Sequence, residues 1–378
     1  MKKIYYWSPC LDLVGTVNST INSAIALKRY SKENYNIKII NCCGEWDNKK
    51  ELLIKENIEL KNFYFKYFNF LPKKGFIQSR FSSLVIIILS FVPLLRLLKK
   101  EKPDFIIIHL ITSLPLILLN MFSFKTKFIL RISGFPKLNF LRSFLWKTTS
   151  QKIFKITSPS IDLISQLKKK KIFLENNLFF LPDAAINVDN IEKQKLDKKI
   201  NLEKNFFLAI GRLTKQKNFQ YLVNEFSVFL KSRPNQKLLI FGEGEEKDNL
   251  QKKIKDYNLT NQIFLKGNSD SVFIYMKNAR AFVLSSLWEE PGMVMIESAY
   301  NNCFIISSDC KNGPSEFLDN EKGGLLFKNN SKGALYEKIL EFENMNEAEK
   351  KKKIIFSKKK SKMYSLVSHY KVLNSILN

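Results

Sequence analysis

The sequence predicts an α/β protein built from two doubly wound domains in tandem. Three observations carry this. Short apolar runs typical of buried parallel strands alternate with segments of helical period. The alternation stops in a polar, aperiodic stretch from about residue 182 to 204 and then starts again. The length, 378 residues, also suits two domains of ordinary size.

In chain order, residues 4–7 form a first strand. A loop with Pro9 and Gly15 follows, then a helix from about Asn18 with Ile21, Ala24, Ile25 and Leu27 on its apolar side, and a strand over 37–41. This opening is that of a doubly wound sheet, whose first loop faces the ligand crevice, so Gly15 admits a close backbone approach to substrate. A simple turn glycine is the competing reading. The most apolar segment, Ser82 to Leu98, falls short of about 20 residues and carries Pro93 and Arg96, which favours a buried helix over a membrane span. Lys66, Lys73, Lys74, Phe76 and Arg80 precede it, a mixture that would also suit a face resting on an anionic membrane.

Phe105 to Ile108 is continuous enough for a central parallel strand, and it ends at His109, one of two histidines. Open α/β sheets bind ligands at that end, so His109 is a candidate for sugar contact or proton transfer, against a purely structural histidine. A strand over 127–132 leads to a turn at Ser133-Gly134-Phe135-Pro136 and an aromatic, basic run from Leu138 to Lys147. A strand at 155–157 precedes an amphipathic helix from Ser160 to about Lys170, capped by Ser158 or Ser160. The lysines 168–171 complement the end of that helix.

The second domain restarts with a strand at 206–210, the loop Gly211-Arg212-Leu213-Thr214-Lys215-Gln216-Lys217, and a helix whose apolar face is Phe219, Leu222, Val223, Phe226 and Leu230. Strands follow at 237–241, 263–265, 281–284 and 303–307, the first of them ending at Gly242-Glu243-Gly244. After the strand at 281–284 comes SSLWEEPGMVMIESA, residues 285–299. Seven residues separate Glu289 from Glu297, with Pro291 and Gly292 turning the chain into a helix. Each carboxylate can accept hydrogen bonds from sugar hydroxyls, while the free N–H groups and dipole of the helix N-terminus suit a phosphate. A surface glutamate pair is the alternative if this stretch is taken alone.

Composition narrows the class. Hydrophobic residues make up 45% and charged residues 26%, a globular balance, and low-complexity segments are absent. The net charge of +27, from 62 Lys and Arg against 35 Asp and Glu, points to an anionic partner: nucleic acid, acidic membrane or nucleotide-sugar. Five cysteines without metal-ligand spacing suit a reducing compartment. The N-terminus enters a strand without a signal-peptide core, so a cytoplasmic location is expected.

The motifs GRLTKQKN, FGEGEEKDNL, FLKG, SSLWEEPGMVMIESA, ISSDCKNGPSEF and GGLLF, in this order, resemble those of retaining nucleotide-sugar glycosyltransferases of family 4, glycosyl transferases group 1, with the GT-B fold. The resemblance is specific over about residues 205–330. It is looser over KPDFIIIH, LRISGFPKLNFLRSFLW and TSPSIDLISQL. It implies two Rossmann-like domains facing a central cleft: an acceptor-side domain over 1–190, a linker over 191–204, a nucleotide-sugar domain over 205–355, and a last helix in 356–378 crossing back to the first domain. It also implies that Arg212 and Lys217 hold the donor diphosphate. Two cations five residues apart in one loop can converge on a pyrophosphate, in agreement.

By the same resemblance Glu289 lies near the transferred sugar and Glu297 bonds the nucleotide ribose. Gly292, Met293 and Val294 offer backbone to sugar and phosphate, Gly242 and Gly244 shape the loop near the base, and His109 lies near the reacting sugar. Gly15 and Gly211 complete the donor-binding set. EPGMVMI departs from the commoner GFGLPxL pattern between the glutamates, which bears on which sugar fits. Gly313 and Pro314 in DCKNGPSE set up a short helix that could contact the donor.

The expected reaction is transfer of a hexose or N-acetylhexosamine from a nucleoside-diphosphate sugar, UDP being the commoner base, to a hydroxyl of a glycan or lipid-linked glycan, with retained configuration. Arg212, Lys217, Glu289 and His109 are the catalytic candidates. No metal and no cofactor beyond the donor substrate are expected, and the acceptor is expected at the inner face of a membrane. A nucleotide-sugar epimerase of the same fold is one alternative. A basic nucleic-acid-binding protein is another, disfavoured by dispersed positive residues and the lack of a recognition module, so nucleic acid is not expected as a partner.

Overall fold

The computed structural model describes residues 1–11, 15–72, 76–134, 138–196, 205–269 and 271–378, with Phe76, Ile77 and Leu196 by main chain alone. Lys73, Lys74, the Phe76 side chain, the Phe135-Pro136 half of the expected turn and residues 197–204 of the expected linker lie outside the described residues. The chain divides into two compact units, Met1–Ala184 with Leu366–Asn378, and Ala185–Ser365.

The first unit is organised on a parallel sheet of β1 (Lys3–Trp7), β2 (Asn36–Asn41), β3 (Glu59–Asn62), β4 (Phe105–Ile108), β5 (Lys127–Arg131), β6 (Lys155–Ser158) and β7 (Leu178–Phe180). Their spatial order is β3-β2-β1-β4-β5-β6-β7. The two-residue period of a strand sends alternate side chains to opposite layers. Tyr5, Trp7, Ile106, Ile108, Phe128 and Leu130 enter one core, and Ile4, Tyr6, Phe105, Ile107 and Ile129 enter the other. Continuous apolar runs therefore mark strands that are buried on both faces.

The second unit repeats the plan with β8 (Phe206–Ile210), β9 (Lys237–Phe241), β10 (Ile263–Leu265), β11 (Ala281–Leu284), β12 (Phe304–Ser308) and β13 (Leu325–Phe327), ordered β10-β9-β8-β11-β12-β13 and again parallel. Phe207, Ala209, Val283 and Ile306 face one core while Phe206, Leu208, Phe282 and Ile305 face the other. In the first of these cores Phe207 meets Phe226, Phe229 and Phe342 edge-on, with ring centroids 5.4, 5.7 and 5.9 Å away.

In each sheet the winding direction reverses beside the first strand, between β1 and β4 and between β8 and β11. The crevice at such a switch point lies beyond the carboxyl ends of those strands. That places the loops after β1 and β4 at one switch point and those after β8 and β11 at the other.

Three expectations need correction. The unit boundary falls between Ala184 and Ala185, ahead of the expected linker, and a helix over Val188–Leu196 belongs to the second unit. Its charged sequence hid a helix whose Ile191 is buried. The return to the first unit begins at Leu366 rather than 356, because the helix Glu347–Ser361 stays with the second unit. The final helix, Leu366–Leu377, packs on the helix Gly15–Tyr30, and its His369 Nε2 bonds Ser23 Oγ at 2.7 Å.

The third correction concerns the apolar segment at 82–98. It belongs to a 25-residue helix, Phe76–Lys100, that runs through Pro93, and its stretch Gln78–Lys100 is long and apolar enough to cross a membrane. It is not simply buried. Ile86, Leu94, Leu97 and Leu98 enter the core, whereas Leu84, Ile88 and Leu89 are exposed by 53%, 62% and 48%. An all-round apolar helix carries no sequence signal for which face is covered.

Candidate functional site

The loop after β8 is fixed by glycines that let two loops stack. Gly242 has φ +139°, and a Cβ there would lie 1.9 Å from the Gly211 carbonyl oxygen. One at Gly244 would lie 2.3 Å from the Leu213 oxygen. Gly211 N–H donates to Phe241 O at 2.9 Å and Leu213 N–H to Glu243 O at 2.9 Å. Gly242 and Gly244 thus shape the loop by admitting the backbone of residues 211–213. The stem of Lys217 lies over Gly211, where a Cβ would meet its Cε at 3.0 Å.

Lys217 then reaches the loop after β11. Its ammonium pairs with the Glu289 carboxylate, with the two side chains only 13% and 7% exposed. Ser286 Oγ donates to the same carboxylate oxygen at 2.5 Å, and Ser308 Oγ holds Ser286 O at 2.7 Å. Ser285 Oγ donates to Lys217 O at 2.8 Å. The cation expected at the diphosphate and the carboxylate expected at the sugar therefore form one partly buried pair. β8 lies beside β11, which brings together residues 72 apart in sequence.

Arg212 is exposed, and its guanidinium donates to Gln216 Oε1 at 3.4 Å. Gln216 Nε2 donates to Trp288 O at 3.0 Å, and Leu287 N–H donates to Gln216 O at 2.8 Å. Gln216 is the residue that sequence reasoning passed over: it lies between the two cations in the motif and ties their loop to the glutamate loop.

The Glu290–Pro291 peptide is cis, and Gly292, at φ +90°, caps the helix Met293–Tyr300. Met295 and Ile296 N–H both return to Gly292 O, at 3.0 and 3.2 Å. The first N–H groups of a helix have no partner within it, and Met293 and Val294, which bear two of them, are partly exposed. Gly313 backs this turn, since a Cβ on it would lie 2.4 Å from Pro291 O. Glu297 lies one turn in and is partly accessible, yet the surrounding protein pushes its carboxyl up to about 8. No hydrogen bond or ion pair to its carboxylate occurs among the described residues. A carboxylate held without a partner at a helix start is suited to accept hydrogen bonds from a ligand.

In the second unit the structure thus gathers Gly211, Arg212, Lys217, Gly242, Gly244, Glu289, Gly292, Met293, Val294 and Glu297 around the β8/β11 switch point. Gly15 and His109 belong to the first unit. Gly15 is the exposed first residue of its helix. His109 extends the β1/β4 ladder by donating its N–H to Trp7 O at 2.9 Å, and its Nδ1 lies 3.1 Å from Thr20 Oγ1. Burial, with the Arg131 charge nearby, holds its pKa well below the ordinary histidine value, so the ring is neutral.

Residues 190–361 match the family described as Glycosyl transferases group 1. An uncharacterized glycosyltransferase of Methanocaldococcus jannaschii is 34% identical over 245 residues, covering 60% of this chain and 60% of that protein. The N-acetylgalactosamine-N,N'-diacetylbacillosaminyl-diphospho-undecaprenol 4-alpha-N-acetylgalactosaminyltransferase of Campylobacter jejuni is 27% identical, over 62% of this chain and 66% of its own. The chain thus spans about 60% to 66% of the length of these two relatives. The crystal structure of a point mutant of S. aureus TarM in complex with Fondaparinux, alpha-GlcNAc-glycerol and UDP superposes with a TM-score of 0.76 over 100% of both chains, at 16% identity, which is a likeness of fold. Residues 190–361 are thus similar to the glycosyl transferases group 1 family, and the chain's two α/β units have the GT-B fold.

Proposed function

We propose that this chain is a retaining glycosyltransferase that moves a hexose or N-acetylhexosamine from a UDP-sugar to a hydroxyl of a lipid-linked or polysaccharide acceptor in cell-surface glycan synthesis, without a metal ion. The observation that carries this reading is the convergence, at one switch point, of the Arg212 and Lys217 loop with Glu289, the start of the Met293–Tyr300 helix and the unpartnered Glu297 carboxylate. That set matches a nucleoside diphosphate flanked by two hydroxyl-bearing rings. The relative from Campylobacter jejuni, whose name specifies a diphospho-undecaprenol acceptor, supports a lipid-linked substrate. The family match supports the donor class.

In this mechanism the leaving diphosphate gathers charge as the sugar–oxygen bond breaks. Arg212, Lys217 and the N–H groups of Met293 and Val294 stabilise it, which is the largest lever such a site has. Glu289 holds the Lys217 ammonium in place and offers its second oxygen to the sugar. Glu297 receives the ribose hydroxyls. Within the first unit, neutral His109 offers a hydrogen bond rather than a charge at the β1/β4 switch point, and Gly15 lets substrate approach the first loop.

Incubating the protein and UDP-sugars with a polyprenyl-diphosphate-linked glycan, with chelator present, tests the reading. The expected result is UDP release matched by a product with the anomeric configuration of the donor. An inverted product, free epimerised sugar without acceptor, or dependence on added divalent metal would contradict it.

A further inference from the structure

We propose that the outward face of the helix Phe76–Lys100, together with Phe140, Leu141 and Phe144 of the helix Phe140–Thr149, is a docking surface for an anionic lipid bilayer, on which the long helix lies rather than crosses. Its purpose rests on the proposed lipid-linked acceptor. Its existence rests on geometry and charge.

At about 1.5 Å per residue the 25-residue helix is about 37 Å long. Along it Phe81, Leu84, Ile88, Leu89 and Val92 are 48% to 62% exposed, far more apolar surface on one element than scattered surface residues provide. The opposite side is fixed: Ile86, Leu94, Leu97 and Leu98 sit in the sheet core, and Ser82 Oγ donates to Pro72 O at 2.6 Å. A helix anchored to its domain along its length cannot cross a bilayer without taking that core apart, so the exposed stripe can only enter from the side.

The second helix extends the surface. Phe140 and Phe144 are 82% and 58% exposed and stack on each other at 6.4 Å, and Leu141 is 73% exposed. Both helices pack against the helix Ser113–Met121. Arg80 and Arg142, one from each, are near neighbours: burial, and after it the charge of Arg80, lowers the pKa of Arg142.

The charge around the stripe selects the partner. Neither helix contains an Asp or Glu, whereas they carry Arg80, Arg96, Lys99, Lys100, Arg142 and Lys147, all exposed. Apolar side chains rimmed by cations of one sign fit the acyl and headgroup layers of an acidic leaflet.

Cosedimentation with vesicles of phosphatidylcholine alone and of phosphatidylcholine with phosphatidylglycerol tests this. The full chain is expected to bind the anionic vesicles at least tenfold more tightly, and less so as salt rises. Ile88→Glu with Phe144→Glu should lower that binding at least tenfold, and Arg80→Gln with Arg142→Gln should remove the preference for anionic lipid. Vesicle binding equal to wild type in both pairs would overturn the proposal. So would a concentration-dependent dimer, without lipid, that Ile88→Glu with Phe144→Glu dissolves, since the face would then serve a second copy of the chain. Thermal stabilisation by donor is expected to be unchanged in all variants. Loss of lipid binding with intact donor binding therefore speaks to this surface, and absence of donor binding in the wild type speaks to the proposed function.

Discussion

Replacing Glu297 by Gln removes a charge that the fold disfavours and that the proposed donor requires. Burial raises this carboxyl from the ordinary 4.5 to about 8. The folded protein therefore keeps a proton that the unfolded chain gives up between those values, so the stability contribution of this group falls as pH rises through that window. At 1.36 kcal/mol per pH unit the ceiling is about 5 kcal/mol, and the remaining solvent access brings the expected effect to about 2 kcal/mol. Urea unfolding at pH 5 and pH 8 should show Glu297→Gln losing that slope and exceeding the wild type at pH 8. Donor binding should show the opposite dependence. Ribose hydroxyls donate to the ionised carboxylate, so binding pulls a proton off Glu297. Wild-type affinity then rises by up to tenfold per pH unit below pH 8, with proton release visible by calorimetry in buffers of different ionisation enthalpy. The variant should bind weakly with no such dependence. Equal pH dependence in both proteins would refute the assignment of Glu297 to the donor.

Lys217→Ala and Arg212→Ala are each expected to lower turnover by about 10² to 10³ in a steady-state transfer assay, because each removes charge stabilisation at the leaving group. Glu289→Ala leaves the Lys217 ammonium in its partly buried pocket without its counter-charge, so thermal unfolding should show a loss of about 3 kcal/mol. A double-mutant cycle with Lys217→Ala should recover part of that loss. Gly242→Ala, which drives a methyl group into the Gly211 carbonyl at a positive φ, should destabilise the second unit and abolish donor binding together. Phe207→Ala, at the centre of a four-ring cluster, should cost about 3 to 5 kcal/mol without changing donor affinity per folded molecule.

How much of this was legible in the sequence depended on what each feature rests on. Strands such as Phe105–Ile108 and Phe206–Ile210 announced themselves because a parallel strand buried on both faces must be apolar throughout. β3, with the sequence ELKN, did not, because an edge strand with polar side chains has no periodic signal. The candidate site was found as separate pieces in the loops after β8 and β11. Their pairing was not legible, since the contact of Lys217 with Glu289 comes from strand order, and the link through Gln216 comes from loop geometry. The exposed side of the Phe76–Lys100 helix was missed for a related reason: only the placement of its neighbours decides which of its apolar residues are covered.

The central claim is that the β8/β11 switch point binds a nucleoside-diphosphate sugar. Thermal shift of the wild type and of Lys217→Ala against UDP-, GDP- and ADP-sugars tests it most directly, because a ligand that binds only the folded state raises its unfolding temperature. A clear, concentration-dependent rise with UDP-sugar in the wild type, lost in the variant, is the predicted result. No rise with any of the three donors, or an equal rise in both proteins, would contradict it.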